Sequence, residues 1–224
     1  MAADTPARPP IAGLLLAAGA GSRYGSPKAR VRGDDGVPWL VRAAETLERA
    51  GCSPVIVVLG AGGAEAEALL GESGGPGGSV GRVHHNAADW AEGLAASLRA
   101  GLRAASALRP EPVAVAVVPV DVPDLDAATV GRLIGEWPQA GGRASVDHAS
   151  VDRDTLRQAV FGGRPGHPVV IGRRHWAALV AHLAGDTGAR PYLVAHGVQA
   201  VECGDLGTGA DVDRRSGSNG DAGV

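Results

Sequence analysis

An apolar run that ends abruptly in glycines constrains this chain more than any other feature. Residues 11–16 read I-A-G-L-L-L, and Leu14, Leu15 and Leu16 follow one another without a polar break, the pattern of a strand buried on both faces. The run stops at Ala17-Ala18-Gly19-Ala20-Gly21-Ser22. Gly19 and Gly21 can take positive φ and carry no Cβ, so several backbone N–H groups of such a loop can converge on a phosphate. Arg23 and Lys28 follow and add full charges. Pro27 fixes its own φ and pushes Ser26 toward extended geometry, which keeps Lys28 on an ordered loop.

Lys28 is the one lysine among 21 basic residues. The chain uses arginine wherever a generic positive charge will do, so this position looks like one that needs a compact ammonium. Two common phosphate signatures do not apply. Ala29 follows Lys28, which rules out G-x-x-x-x-G-K-[ST], and Tyr24 stands where G-x-G-x-x-G needs its third glycine.

A length of 224 residues with 45% hydrophobic content suits one large α/β domain. A formal net charge of −3, no basic run and only seven aromatic residues speak against a nucleic-acid partner. No segment approaches the roughly 20 apolar residues that span a bilayer, and no basic region leads into a hydrophobic core at the N-terminus, so we expect a cytoplasmic protein without a membrane partner. Cys52 and Cys203 are expected to be reduced, semi-buried small residues. Residues 1–10 read as a flexible lead, 11–213 as the domain and the glycine-rich 214–224 as a disordered tail.

Between these limits the chain alternates strands and helices. Helical spacing of Trp39, Leu40, Ala43, Ala44 and Leu47 ends near Gly51, and 55–59 is a second buried strand. A short helix through Leu70, a glycine-rich connection over 71–81 and a strand ending at Asn86 follow. In W-A-E-G-L-A-A-S-L, continuing to Leu102, Leu94, Leu98 and Leu102 share one helix face while Gly93 and Ser97 lie on a neighbouring one. From the residues alone Asn86 is a turn residue and Ser97 a helix residue bonding its own backbone.

Residues 113–120 form the most hydrophobic run and read as a central parallel strand that delivers Asp121 to its carboxyl end, where open α/β sheets bind ligands. A carboxylate facing a triphosphate there would hold Mg²⁺; a turn or cap is its other use. Asp124 is close by, and Asp126 reads as the N-cap of a helix that begins A-A-T-V-G-R-L-I and continues over 129–137. An edge strand over 144–146, a strand starting beside His167-Pro168, a helix carrying Leu179, Val180 and Leu183, and a last strand over 199–203 complete the pattern. His167 is equally a packed imidazole and a ligand-facing one.

Leu16, Ala17, Ala18, Gly19, Gly21, Arg23, Gly25, Pro27 and Lys28 resemble L-A-A-G-x-G-x-R-x-G-x-P-K, the signature of nucleotidyltransferases with the MobA-like NTP transferase fold. The resemblance implies a single Rossmann-like three-layer α/β/α domain with a mostly parallel central sheet. It further implies that residues 16–23, Lys28, Asn86, Gly93 and Ser97 meet the nucleotide, that Lys28, Arg23 and Asp121 are catalytic, and that Asp121 holds Mg²⁺. The strand-end P-V-D has Val120 where the family has glycine. D-V-D-R-R resembles the family's D-[IV]-D-T-P-E-D, so Asp211 and Asp213 are implied as further metal ligands, with Arg214 and Arg215 as departures. G-R-P-G-H-P-V and G-D-T-G-A-R resemble the branch that transfers a cytidylyl group to the molybdenum-bound pterin cofactor. In that branch Arg164, Gly166, His167, Asp186 and Arg190 would meet the acceptor, with the two arginines suited to a pterin phosphate.

The implied activity is Mg²⁺-dependent transfer of a nucleoside monophosphate, CMP from CTP before GMP from GTP, to molybdopterin with release of pyrophosphate. Methylerythritol phosphate or sugar-1-phosphate acceptors are the further enzyme alternatives. An inactive nucleotide-binding module that delivers cofactor to a molybdoenzyme apoprotein is the alternative of another class. A monomer or weak dimer is expected.

Overall fold

The computed structural model describes residues 10–19, 21, 24–72, 82–87, 89–135 and 150–212. Seven strands form one sheet in the order β3-β2-β1-β4-β6-β5-β7: β1 Ile11–Ala17, β2 Val55–Leu59, β3 Arg82–Asn86, β4 Ala114–Pro119, β5 Leu156–Phe161, β6 Arg164–Gly172 and β7 Gln199–Glu202. Neighbouring strands run parallel except where β6 lies antiparallel to β4 and β5. The helices are α1 Trp39–Arg49, α2 Gly63–Glu72, α3 Leu94–Ala107, α4 Ala127–Ile134, α5 Arg173–His182 and α6 Arg190–Ala195.

The Leu-Leu-Leu run of β1 explains the layering. Leu15 packs into a core with Leu40, Ala44 and Leu47 of α1 and Val130 and Leu133 of α4, while Leu14 packs into a second core with Leu98 and Leu102 of α3 and Trp176 and Leu179 of α5. Successive strand residues point to opposite faces, so a strand with helices on both sides must be apolar at every position. α1 ends where its glycine requires: Gly51 has φ 90°, and Gly51 N and Cys52 N bond back to Glu48 O and Leu47 O at 2.9 and 3.0 Å. Asp126 caps α4, its Oδ1 accepting from Ala128 N at 3.1 Å.

The observed elements differ from the sequence expectations in several places. β4 is parallel to β1 alone; its other neighbour is antiparallel, because β5 and β6 form a hairpin closed by Gly162 (φ 57°) and Gly163 (φ 78°). A two-residue turn with positive φ at both positions matches the right-handed twist of the flanking strands. The strand expected to start beside His167 therefore begins at Arg164 and contains His167. β5 and α6 were not anticipated, and α4 stops at Ile134 because Gly135 turns left-handed at φ 81°. Leu94, expected to share a helix face with Leu98 and Leu102, is 43% exposed while those two are buried, because the first residue of α3 stands at the open cleft. Cys52 and Cys203 are fully buried rather than semi-buried. The expected edge strand over 144–146, the terminal segments 1–9 and 214–224, and most of 71–81 lie outside the described residues. No helix among the described residues is long and apolar enough to cross a membrane.

Close packing of α3 on the sheet depends on Gly101. A Cβ there would collide with Leu14 Cδ1 and lie 3.1 Å from Val58 Cγ2. Gly101→Val should lower the unfolding free energy by about 1–3 kcal/mol through overpacking, more than the few tenths its better helix propensity returns. Urea denaturation followed by far-ultraviolet circular dichroism measures this loss.

Candidate active site

The strand order places the site. From β1 the chain moves outward to β2 and β3, then returns to the other side of β1 as β4, so the segments leaving β1 and β4 diverge and open a crevice at their carboxyl ends. Leu16 lies beside Pro119, and Val120 N donates to Leu16 O at 3.0 Å as the last rung between them. Past that rung stand the glycine loop on one side and Asp121 on the other.

A cleft of about 570 Å³ fills this gap. Its sheet side is lined by Leu16, Ala18, Gly19, Gly21, Lys28, Pro119, Val120 and Asp121, and the opposite side by Trp90, Ala91, Gly93, Leu94, Ser97 and Asp186. Gly21 shapes the loop. Its O accepts from Tyr24 N and Gly25 N at 2.9 and 2.8 Å, its φ is 64°, and a Cβ would collide with Ser26 O. The turned-back chain then enters the 3-10 turn Lys28–Arg30, which Pro27 precedes. Lys28 Nζ donates to Asp121 Oδ2 over 2.7 Å, joining residues 93 apart in the chain.

The far wall of the cleft is held by a second glycine. Gly93, with φ 106°, precedes α3 without a side-chain cap, and Gly185 O accepts from Ala95 N at 3.0 Å. A Cβ on Gly93 would collide with Asp186 Oδ1 and sit 2.8 Å from Gly185 O, so the loop at 185–190 packs on the first turn of α3 only because the glycine is there. The N-terminus of α3 thus faces the cleft with the positive end of its dipole. Trp90, in the 3-10 turn Trp90–Glu92, leans on Gly60, whose missing Cβ would be 2.7 Å from the indole.

Of the residues singled out in the sequence, Leu16, Ala18, Gly19, Gly21, Lys28, Gly93, Ser97, Asp121 and Asp186 line this one cleft. Ala17 is buried beneath it in β1. Asn86 ends β3 with Oδ1 2.8 Å from the place of a Cβ on Gly63, so it faces the start of α2 and is not part of the lining. Arg164 at the hairpin tip and Arg190 at the start of α6 are exposed and also outside the lining. Gly166 packs against the Phe161 ring, 2.8 Å from its would-be Cβ. Asp211 is drawn to Asp121 by its neighbour, Val212 N donating to Asp121 O at 2.9 Å. Asp124 is taken up structurally, accepting from Thr208 N at 3.2 Å and from its hydroxyl. His167 lies in β6 partly buried, and that burial pushes its pKa below the ordinary value against the opposing pull of Asp121 and Asp211. Ala20, Ser22, Arg23 and Asp213 lie outside the described residues. Leu94 and Val120, noted in the sequence for other reasons, also line the cleft, whereas Trp90, Ala91 and Pro119 were not singled out; Trp90, an aromatic just before Gly93 in a chain with few aromatics, was the readable signal.

A glycine loop, an ammonium and a carboxylate at the switch point of a largely parallel sheet make this an α/β enzyme that handles phosphorylated nucleotides. Residues 13–200 match the MobA-like NTP transferase domain. The chain belongs to that family and is a nucleotidyltransferase, with a nucleoside triphosphate and a phosphate-bearing acceptor as its substrates. A protein of Paenarthrobacter nicotinovorans named nicotine blue oxidoreductase is 35% identical over 208 residues, 92% of this chain and 93% of its own. Among solved structures, Rv0371c of Mycobacterium tuberculosis H37Rv superposes with a TM-score of 0.66 at 24% identity, covering 92% of this chain and 94% of its own. The same mycobacterial protein in complex with manganese matches at 21% identity over 87% of each chain, TM-score 0.60. A nucleotidyl transferase from Methanothermobacter matches at 22% identity over 91% of this chain and 92% of its own, again with a TM-score of 0.66.

The donor set suits a divalent cation. Asp121 offers hard carboxylate oxygens, the type of ligand Mg²⁺ and Mn²⁺ take, and the backbone bond from Val212 N to Asp121 O brings the chain at Asp211 to the same strand end. Among the described residues no group of three or more His, Cys, Asp or Glu could hold an ion alone, so substrate phosphates would complete its shell.

Gly21→Ala should open the loop that carries Lys28 and weaken binding of the triphosphate by about tenfold, the scale of one lost charge-assisted contact. Calorimetric titration with CTP, beside a melting curve to confirm that the domain still folds, checks this outcome.

Proposed function

We propose that the cleft transfers CMP from CTP to a phosphate carried by a molybdopterin-type acceptor. The observation that carries this reading is the meeting of Lys28 and Asp121, 2.7 Å apart, beside a glycine loop at the mouth of β1 and β4. A phosphate oxygen of the acceptor attacks the α-phosphorus, a new P–O–P bond forms, and the bond to the β-phosphate breaks with pyrophosphate leaving. The attacking phosphate is already ionised at neutral pH, so no general base is needed; catalysis reduces to alignment and neutralisation of charge. The loop amides and Lys28 bind the triphosphate, Arg23 adds charge from the same loop, and Asp121 with Asp211 and Asp213 would hold Mg²⁺, which supplies positive charge to the phosphate oxygens when bound. Trp90, Gly93 and Ser97 border the nucleotide side, and Asp186 and His167 the acceptor side. Arg164 and Arg190 then reach the acceptor from the rim.

GMP transfer is the first variant of this reading, and methylerythritol phosphate or sugar-1-phosphate acceptors are the next. A screen for pyrophosphate release with CTP, GTP, ATP and UTP against molybdenum-loaded molybdopterin, a sugar-1-phosphate and methylerythritol phosphate separates them. Turnover selective for CTP with molybdopterin is the expected result. Release only with another acceptor overturns the substrate, and CTP binding without release points to a cofactor-delivery module. The 35% identity to a protein named nicotine blue oxidoreductase favours one second reading, an oxidoreductase built on the same cleft. An arm with NADH or NADPH and nicotine blue, followed by loss of the reduced nicotinamide, decides between them.

Lys28→Ala should lower kcat by about two to three orders of magnitude, as expected for one contact to transition-state charge. Asp121→Asn should abolish metal-dependent release while the domain still folds, since Asp121 follows the end of a strand rather than filling the core. Initial-rate measurements across a metal titration report both.

A further inference from the structure

The same ion pair that marks the site also stands in the way of its ligands. The Lys28 and Asp121 side chains keep only 13% and 22% of their surface exposed, so their bond is shielded on most sides. A carboxylate oxygen engaged by an ammonium is not free for a cation. A divalent ion brought to Asp121 also meets the charge of Lys28 in partly desolvated surroundings, where repulsion is less screened than in water. Conversely, an ammonium held by a carboxylate offers a phosphate less of its charge.

The backbones on both sides are fixed, so any exchange of partners falls to the side chains. Lys28 sits in a closed 3-10 turn, with Arg30 N bonded to Pro27 O and Val31 N to Lys28 O at 3.0 and 3.1 Å. Asp121 is anchored by its own carbonyl to Val212 N. The mobile part is the four-carbon stem of the lysine, which carries a point charge able to change partner without a fixed donor geometry.

Building on the nucleotidyltransferase reading, we propose that the Lys28–Asp121 ion pair couples divalent cation to nucleoside triphosphate. A triphosphate draws Lys28 away and frees Asp121 for the cation; a cation draws Asp121 away and frees Lys28 for the phosphates. Both ligands break the same bond, so whichever binds first relieves the second of that cost. The coupling is reciprocal, each raising the other's affinity by one common factor. Without nucleotide the cleft is a poor metal site, because the Asp121 carboxylate is held by Lys28.

The test uses Mn²⁺ as a spin probe on the full chain in the absence of nucleotide, reading free ion by electron paramagnetic resonance. Lys28→Met should bind Mn²⁺ about tenfold more tightly than the wild type, and Lys28→Arg, which keeps a cation in place, should stay as weak as the wild type. A second measurement covers the case in which Lys28→Met fails to fold: with EDTA present, Asp121→Asn should bind CTP more tightly than the wild type because its lysine is released. Unchanged or weaker Mn²⁺ binding by a folded Lys28→Met, or unchanged CTP binding by Asp121→Asn, overturns the coupling. In either case a wild-type chain that still binds CTP with Mn²⁺ leaves the nucleotidyltransferase reading standing. A wild-type chain that binds neither ligand, alone or together, removes both.

Discussion

The hydrogen bonding of β1 to β4 is the constraint on which the rest of this molecule depends. Their register sets Leu16 beside Pro119, and the single bond from Val120 N to Leu16 O closes the ladder just before the two chains part. β2 and β3 lie on one side of β1 and β6, β5 and β7 lie beyond β4, so helices cannot close over the point of divergence in the way they cover the faces. The gap left there is a consequence of strand order, and any ligand it takes must be met by the residues just beyond the ends of β1 and β4. In this chain those are glycines, the turn bearing Lys28, and Asp121.

Much of this was legible because burial on both faces leaves a strong trace. The runs in β1, β2 and β4 have no polar position to confuse them with amphipathic helices, and Asp126, Gly51 and the spacing of α1 and α3 mark helix ends by local chemistry alone. β5 was missed for the opposite reason. Its sequence L-R-Q-A-V-F puts Arg157 in the interior at 4% exposure, where Nη1 donates to Leu133 O at 2.9 Å and Nε to Gln199 Oε1 at 3.2 Å. A buried guanidinium reads as a surface residue until its partners from α4 and β7 are known, and those partners are distant in sequence. With β5 missed, the antiparallel direction of β6 could not be inferred either, although the Gly162-Gly163 turn carried the hairpin's chemistry in plain view.

The two halves of the cleft differed in the same way. The glycine loop is contiguous in sequence, so its geometry follows from Gly21, Pro27 and the bonds between them. The other wall is assembled from pieces that local sequence does not connect: Trp90 against Gly60, Gly93 against Asp186, Leu94 against Gly188. Each pairing needs a missing Cβ on one side, and a glycine in a chain with 35 of them says little about which neighbour requires it. Trp90 drew no attention in the sequence for this reason: the glycine it leans on, Gly60, is 30 residues away in the chain.

The preference for arginine elsewhere gives the remaining lysine its physical meaning. Arg132 grips Asp205 with two donors at 2.6 and 2.8 Å, and Arg82 grips Glu48 in the same two-pronged manner at 2.6 and 2.8 Å; both are static braces between elements. A planar fork suits such braces because two parallel bonds fix direction as well as distance. In the cleft the requirement is reversed. The cation there holds a carboxylate, and in the proposed reaction it passes to a triphosphate; a flexible ammonium with donors in several directions suits such an exchange, with little loss of geometry. A fold that braces itself with arginine and keeps its one lysine for the mouth of β1 and β4 thus separates, by side-chain chemistry, the charges that hold the structure from the one that works within it.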